Sequence, residues 1–235
     1  MENVIVPPDP RRLNNGLRDT GYTFNVAVAD LVDNSISAGA DKIFLDLQMD
    51  YAGEITFQII DNGRGMTKDE LKIAMQYGSP RQEDPRSLSK FGLGMKTAST
   101  SFCRRLSVIS RGTGDSEIHK ATWDLDHVES VGEWELILQA PTKEEIRDLE
   151  AVCQNNPGTM VKWSKVDRLL KNYADPGGNS ARKALAKTVE NLKEHLSMVY
   201  QRFLDTNDLR ESQKVRIWVK DEEVFHWDPF CEYFL

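Results

Sequence analysis

Cysteine is scarce in this 235-residue chain: Cys103, Cys153 and Cys231 are odd in number, widely spaced and form no CxxC pair. That pattern fits free thiols in a reducing compartment and argues against a disulfide framework. Histidine is equally thin. His119, His127, His195 and His226 cluster neither with one another nor with the cysteines, which argues against a zinc or iron centre. No apolar run approaches the roughly 20 residues that a membrane span needs. The start, MENVIVPPDPRR, lacks the basic segment and apolar stretch of a secretory signal. A cytoplasmic chain is expected, or a nuclear one if the source is eukaryotic, with no membrane partner. Basic residues are outnumbered, 30 against 37, for a formal charge of −7. This argues against a broad nucleic-acid footprint; nucleic acid could be a partner only through a local patch, further regions or another protein.

What is present is an ordinary globular composition, 40% hydrophobic and 29% charged, arranged in readable segments. Residues 1–16 carry Pro7, Pro8 and Pro10 followed by arginines and asparagines, and read as an extended arm. From Thr23 to Ala38 the period is helical. Phe24, Val28, Leu31 and Ser35 share one side, and Asp30, Asp33, Asn34 and Ser37 lie on the other within about 80°. A solvated face would explain that polar side, yet it carries neither Lys nor Glu and is flanked by small Ala27 and Val26. Gly39 closes the helix. Ile43, Leu45, Leu47 and Met49, then Ile55, Phe57 and Ile59, alternate as a hairpin around Asp50–Gly53. Its second strand runs into Asp61-Asn62-Gly63-Arg64-Gly65. Thr67 and Glu70 form a capping-box signature for a helix to about Gln76.

Tyr77 to Lys90 is polar, has two prolines and no periodicity, as a functional loop would. A second glycine turn, Gly92-Leu93-Gly94, then opens a helix from Met95 to about Ser101. Strands are expected at Arg104–Arg111, Glu117–Trp123, Trp134–Gln139 and Gly158–Trp163, with a Thr142-capped helix over Lys143–Val152. A long helix from Ala181 to Leu204 has Leu185, Val189, Leu192, Leu196, Val199 and Phe203 on its apolar face. A last hairpin spans Val215–Phe225 across Asp221–Glu223.

Exposed N–H groups at a glycine-rich helix start suit phosphate, and Lys96 adds charge. A Walker A loop requires glycine directly before its Lys-Ser/Thr pair, but Met95 stands there. The Rossmann fingerprint fails for want of a third glycine and a following acid. Singly, each turn is better read as structural.

In order, however, ADLVDNSISAGA, IIDNGRGM, FGLGMKTAS and GTMVKW resemble the four motifs of the GHKL superfamily, which includes gyrase-type topoisomerases, heat-shock chaperones, histidine kinases and MutL proteins. The Gly-Leu-Gly-Met-Lys-Thr turn and the closing WDPF look most like the microrchidia-type (MORC-like) branch and its bacterial relatives. The resemblance implies a Bergerat α/β two-layer sandwich, a mainly antiparallel sheet with helices on one face. It implies an arm at 1–16, an ATPase domain at 17–212 with its lid at about 77–91, and at 213–235 a hairpin opening a transducer-like domain that is otherwise absent. That domain normally supplies a lysine to the γ-phosphate. The implied ligands are ATP or ADP with Mg²⁺, and the implied activity is slow ATP hydrolysis with lid closure and nucleotide-dependent homodimerisation.

Carried over by position, Asn34 is the Mg²⁺ ligand and Asp61 accepts from the adenine amino group. Gly63 and Gly65 let the chain approach the base, Met66 packs on it and Thr159 supports Asp61. Gly92, Leu93, Gly94, Lys96 and Thr97 hold phosphate. The acid that polarises water falls on Asp30, where active relatives usually carry Glu, so an ATP-gated binding module without turnover is the alternative. A histidine kinase domain is disfavoured, since no phospho-acceptor helix precedes it.

Overall fold

A computed structural model describes residues 9–78, 94–170 and 173–227. Among these, eight strands form one sheet. They are β1 (Lys42–Met49), β2 (Ile55–Asp61), β3 (Cys103–Arg111), β4 (His119–Asp124), β5 (Ile137–Gln139), β6 (Gly158–Val166), β7 (Arg216–Val219) and β8 (Glu222–Val224). Their order is β5-β4-β3-β6-β2-β1-β7-β8. Neighbours run antiparallel except β1 and β7, which are parallel. The sequence expectation of a mainly antiparallel α/β sandwich is met.

The period-two residues explain the layers. Ile43, Leu45, Leu47, Phe57 and Ile59 point into the main core with Leu106, Val108, Val161 and Trp163. Helix α2 (Phe24–Ser37) lies on that face through Phe24, Val28 and Leu31, as its period predicts. Phe24 meets Phe57, Phe102 and Trp163 with ring centroids 5.8, 5.7 and 6.2 Å away, all edge-on. That geometry suits the ring quadrupoles. Helices α3 (Lys68–Met75), α4 (Gly94–Thr100), α5 (Leu125–Val131) and α7 (Asn179–Val199) contribute buried residues to the same face. Helix α6 (Lys143–Cys153) differs. Its Leu149 and Cys153 pack with Ile60, Ile109 and Met160, the residues that alternate to the other side of the sheet.

Four expectations are corrected. Residues 10–18 are a helix, α1 (Pro10–Arg18), because Asp9 caps Arg12 N at 2.9 Å and Pro10 occupies the first turn, where a missing N–H costs nothing. Residues 1–8 of the expected arm lie outside the described region. The long helix stops at Val199, and the short helix α8 (Gln201–Leu204) follows; Tyr200 is buried in place of the exposed Val199. Strand β5 is three residues instead of six, and α5 forms where no helix was expected. The closing hairpin forms as expected, from β7 and β8, and β7 joins the sheet at β1, with Phe225 exposed.

Candidate functional site

The site is built around α2, from its middle at Asp30 to its last turn at Ser35, and the glycine turns beside them. At the sheet end, Asp61 closes β2 and is buried. Its Oδ1 accepts from Gly63 N and its Oδ2 from the Ser35 hydroxyl, each at 2.9 Å. Burial pushes its carboxyl up to about 6, against the lowering effect of those two donors. Thr159 on β6 is the register partner of Asp61, and Ser110 on β3 is the register partner of Thr159. A polar row therefore crosses three adjacent strands, β2, β6 and β3.

The turn after Asp61 is tied on all sides. Arg64 N donates to Ala38 O at 2.9 Å, and the Asn62 side chain accepts from Asp41 N and Lys42 N. Gly65 has φ +62, and a Cβ there would collide with the Arg111 carbonyl, so both conformation and space require glycine. A Cβ at Gly63 would sit 2.9 Å from both Ala38 Cβ and Ala38 O. Met66 N donates to Ser110 Oγ at 2.8 Å, which fixes the turn's far end to the polar row.

At the other end of the site, midway along α2, Asp30 Oδ2 accepts from the Tyr22 hydroxyl at 2.8 Å. It also lies 3.7 Å from where a Cβ of Gly94 would stand, so the second glycine turn ends beside this carboxylate. Thr97 is buried, with its Oγ1 3.3 Å from Gly94 O. Asp33 is held by the Tyr200 hydroxyl at 2.7 Å. Burial holds the Asp33 carboxyl above its usual range, the Tyr200 bond opposes that, and the charge of Asp30 adds to it. Asn34, the residue after Asp33, is half-buried.

Lys96 is turned toward α3. Its Nζ donates to Ala74 O at 2.7 Å and lies 5.8 Å from the Tyr77 ring centre, and only 2% of the residue is exposed. Burial lowers its ammonium to about 8. In this conformation its ammonium caps the end of α3. Gly92, Leu93 and the part of the expected lid after Gly78 lie outside the described residues; Tyr77, the first residue of that expected segment, packs on Trp123 and Trp134.

Ser35, Ser110, Tyr22 and Tyr200 were missed as site residues. Ser35 carried a usable signal, a serine on the apolar side of α2. Ser110 carried none, because β3 is buried almost throughout and shows no alternation.

Residues 22–159, more than half of the chain, match the family described as "Histidine kinase-, DNA gyrase B-, and HSP90-like ATPase", and the chain belongs to that family. Among curated proteins it is similar to DNA mismatch repair protein MutL of Shewanella baltica (strain OS185), 34% identical over 99 residues, and to that of Shewanella sp. (strain MR-4), 35% identical over 99 residues. Each match covers 40% of this chain and 15% of the relative. The MutL protein of Shewanella frigidimarina is similar at 34% over 99 residues, 16% of its length.

Proposed function

We propose that the chain binds Mg²⁺-ATP along α2 and hydrolyses it slowly to ADP and phosphate, with lid closure and pairing of two copies. The observation that carries this reading is that the middle and the last turn of α2 serve two ends of one site. Asp30 stands beside the Gly94 turn, and five residues on, about 7.5 Å along the axis, Ser35 holds Asp61. One end has carboxylates and a glycine turn suited to phosphate chemistry. The other has a buried carboxylate suited to a donating base edge, as adenine's amino group is.

The donor set at the first end fits Mg²⁺, which takes oxygen ligands. Asn34 would hold it. Asp30 and Asp33 already oppose each other's charge, so a triphosphate needs a cation to enter there. When bound, the ion neutralises phosphate oxygens. Asp30 orients the attacking water and takes its proton, and Tyr22 fixes the carboxylate that does so. Asp61 and Thr159 orient the base, with Gly63 and Gly65 allowing close approach and Met66 flanking it. Gly92, Leu93, Gly94 and Thr97 cradle phosphate, and Lys96 joins them only if it leaves Ala74.

The alternative, an ATP-gated module without turnover, draws support from Asp30 itself, a short acid with one oxygen engaged by Tyr22. The MutL matches support a clamp in DNA repair, and the Gly-Leu-Gly-Met-Lys-Thr turn supports a microrchidia-type role; both use the same engine. Titration calorimetry with ATP, with and without Mg²⁺, tests the core of the reading. Asn34→Ala should lose most of the Mg²⁺-dependent affinity while keeping the fold. Unchanged Mg²⁺-dependent affinity in that variant would remove Asn34 from the metal site.

A further inference from the structure

We propose that Ser110 is a positioning residue that sets the hydrogen-bond polarity of the base pocket, compelling Thr159 to present an acceptor beside Asp61; the inference rests on reading the Asp61 end as the nucleobase site. Ser110 is fully buried and its Oγ touches three polar partners. Met66 N lies at 2.8 Å, Gly158 O at 2.9 Å and Thr159 Oγ1 at 2.8 Å.

Proton counting fixes the directions. A serine hydroxyl has one hydrogen to give and two lone pairs to receive with. The Met66 amide can only donate, so it occupies one lone pair. The Gly158 carbonyl can only accept, and two oxygens 2.9 Å apart with no hydrogen between them repel, so the Ser110 proton goes there. The contact with Thr159 then needs its hydrogen from Thr159. Ser110 is left satisfied, with one bond given and two received. The Thr159 hydroxyl has spent its only proton and offers lone pairs alone.

Thr159 is paired in register with Asp61 on the neighbouring strand. The Asp61 carboxylate, once ionised, is likewise an acceptor with no proton to give. The pocket floor is thus acceptor beside acceptor, a pattern that a purine with a 6-amino group complements. A 6-oxo purine places its own carbonyl there and meets a second set of lone pairs. Sites built to bond a substrate donor reject analogues that lack it, because buried polar groups are left unpaired. The selectivity would therefore be enforced two strands away from the base, by a residue that never touches it. With Ser110 removed, the Thr159 hydroxyl could turn and donate, and the floor would tolerate either edge.

The test compares ADP with inosine diphosphate, which differ at the 6-position and the adjacent ring nitrogen, by calorimetry on the full chain. The wild type should prefer ADP. Ser110→Ala should shrink that preference by about three- to tenfold, through better inosine diphosphate binding as well as weaker ADP binding. Thr159→Val should shrink it comparably, and the double variant no further, since both act through one hydroxyl. The ratio is internal to each variant, so partial destabilisation does not mimic the effect, and Thr159→Val decides the matter if Ser110→Ala fails to fold. An unchanged ratio in either variant overturns the inference alone. A wild type that binds neither nucleotide overturns it together with the nucleobase reading.

Discussion

Two carboxylates at opposite ends of the candidate site, Asp30 midway along α2 and Asp61 at the end of β2, stand in different surroundings. Asp61 is buried with its carboxyl raised to about 6. Because the folded value lies above the ordinary one, Asp61 adds stability fully only at low pH, and that contribution is lost as pH rises through about 6. Ionising it in the empty pocket costs about 3 kcal/mol at one pKa unit per 1.36 kcal/mol. A donating amino group repays part of that by favouring the charged form, so binding should release protons near pH 6. Affinity for adenosine, which has no phosphate to titrate, should accordingly fall as pH drops from about 7 to about 5. In Asp61→Asn the residual affinity should be flat over that range, and a wild-type profile equally flat would exclude Asp61 from the contact.

Asp30 sits in a different balance. It is one methylene shorter than the Glu expected at this position, which withdraws the carboxylate by about 1.5 Å. A misplacement of about 1 Å can cost on the order of a hundredfold in rate. Asp33 is no substitute while Tyr200 holds it. Asp30→Asn should thus abolish ATPase activity and spare ATP binding, while Asp30→Glu should keep or raise the rate. Steady-state phosphate release decides this: equal rates in Asp30→Asn and the parent would show that Asp30 is not the base.

At the scale of elements, the parts with strong local rules were legible. The capping box of Thr67 with Glu70 forms as its spacing predicts, Thr142 caps α6 as expected with Glu145 completing a second box, and both helices start where expected. The β1–β2 hairpin and the apolar side of α2 followed from periods of two and 3.6. Failures came where one residue type has two uses. Pro10 was counted as a breaker, yet after Asp9 it starts a helix. On α7 the step after Leu196 could fall three or four residues on; the four-residue step places Tyr200, whose hydroxyl bonds Ala29 O at 2.8 Å, in the core. The position of α6 on the reverse face was not legible, because nothing local says which side of a sheet a helix covers. That helix still bears on the site: Cys153 Sγ reaches Asp61 O at 3.4 Å, and Glu150 pairs with Arg111 behind Gly65. What holds α2 in place is more readily tested. Phe24→Ala removes the ring that meets three others, and large-to-small changes of this kind cost about 3–5 kcal/mol. A fall of that size in denaturant stability is expected, with nucleotide affinity lost alongside as α2 loosens; a loss under about 1 kcal/mol would mean the cluster does not anchor the helix.

For the whole molecule the open issue is assembly, and α1 changes how it must be tested. A proline-containing segment loses little entropy on docking, which favours an N-terminal arm as the link between two copies. Residues 10–16 are unsuited to that role, since α1 is part of the body. Arg18 pairs with Asp167 and donates to Thr100 O at 2.8 Å, and Arg11 donates to Glu129 O at 2.7 Å. The Arg18 bond ties the end of α1 to the helix that follows the second glycine turn, and removing residues 1–16 would take away most of the helix that presents Arg18, damaging the site as well as any arm. Deleting residues 1–8 is the cleaner experiment. The 26.7 kDa chain should scatter light as a monomer without nucleotide and as a dimer with a non-hydrolysable ATP analogue. The 1–8 deletion should weaken the dimer without lowering the melting temperature of the free chain, whereas the 1–16 deletion should lower it. If the mass is the same with and without the analogue, nucleotide does not drive pairing. If the 1–8 deletion dimerises as well as the parent, the link lies elsewhere on the surface.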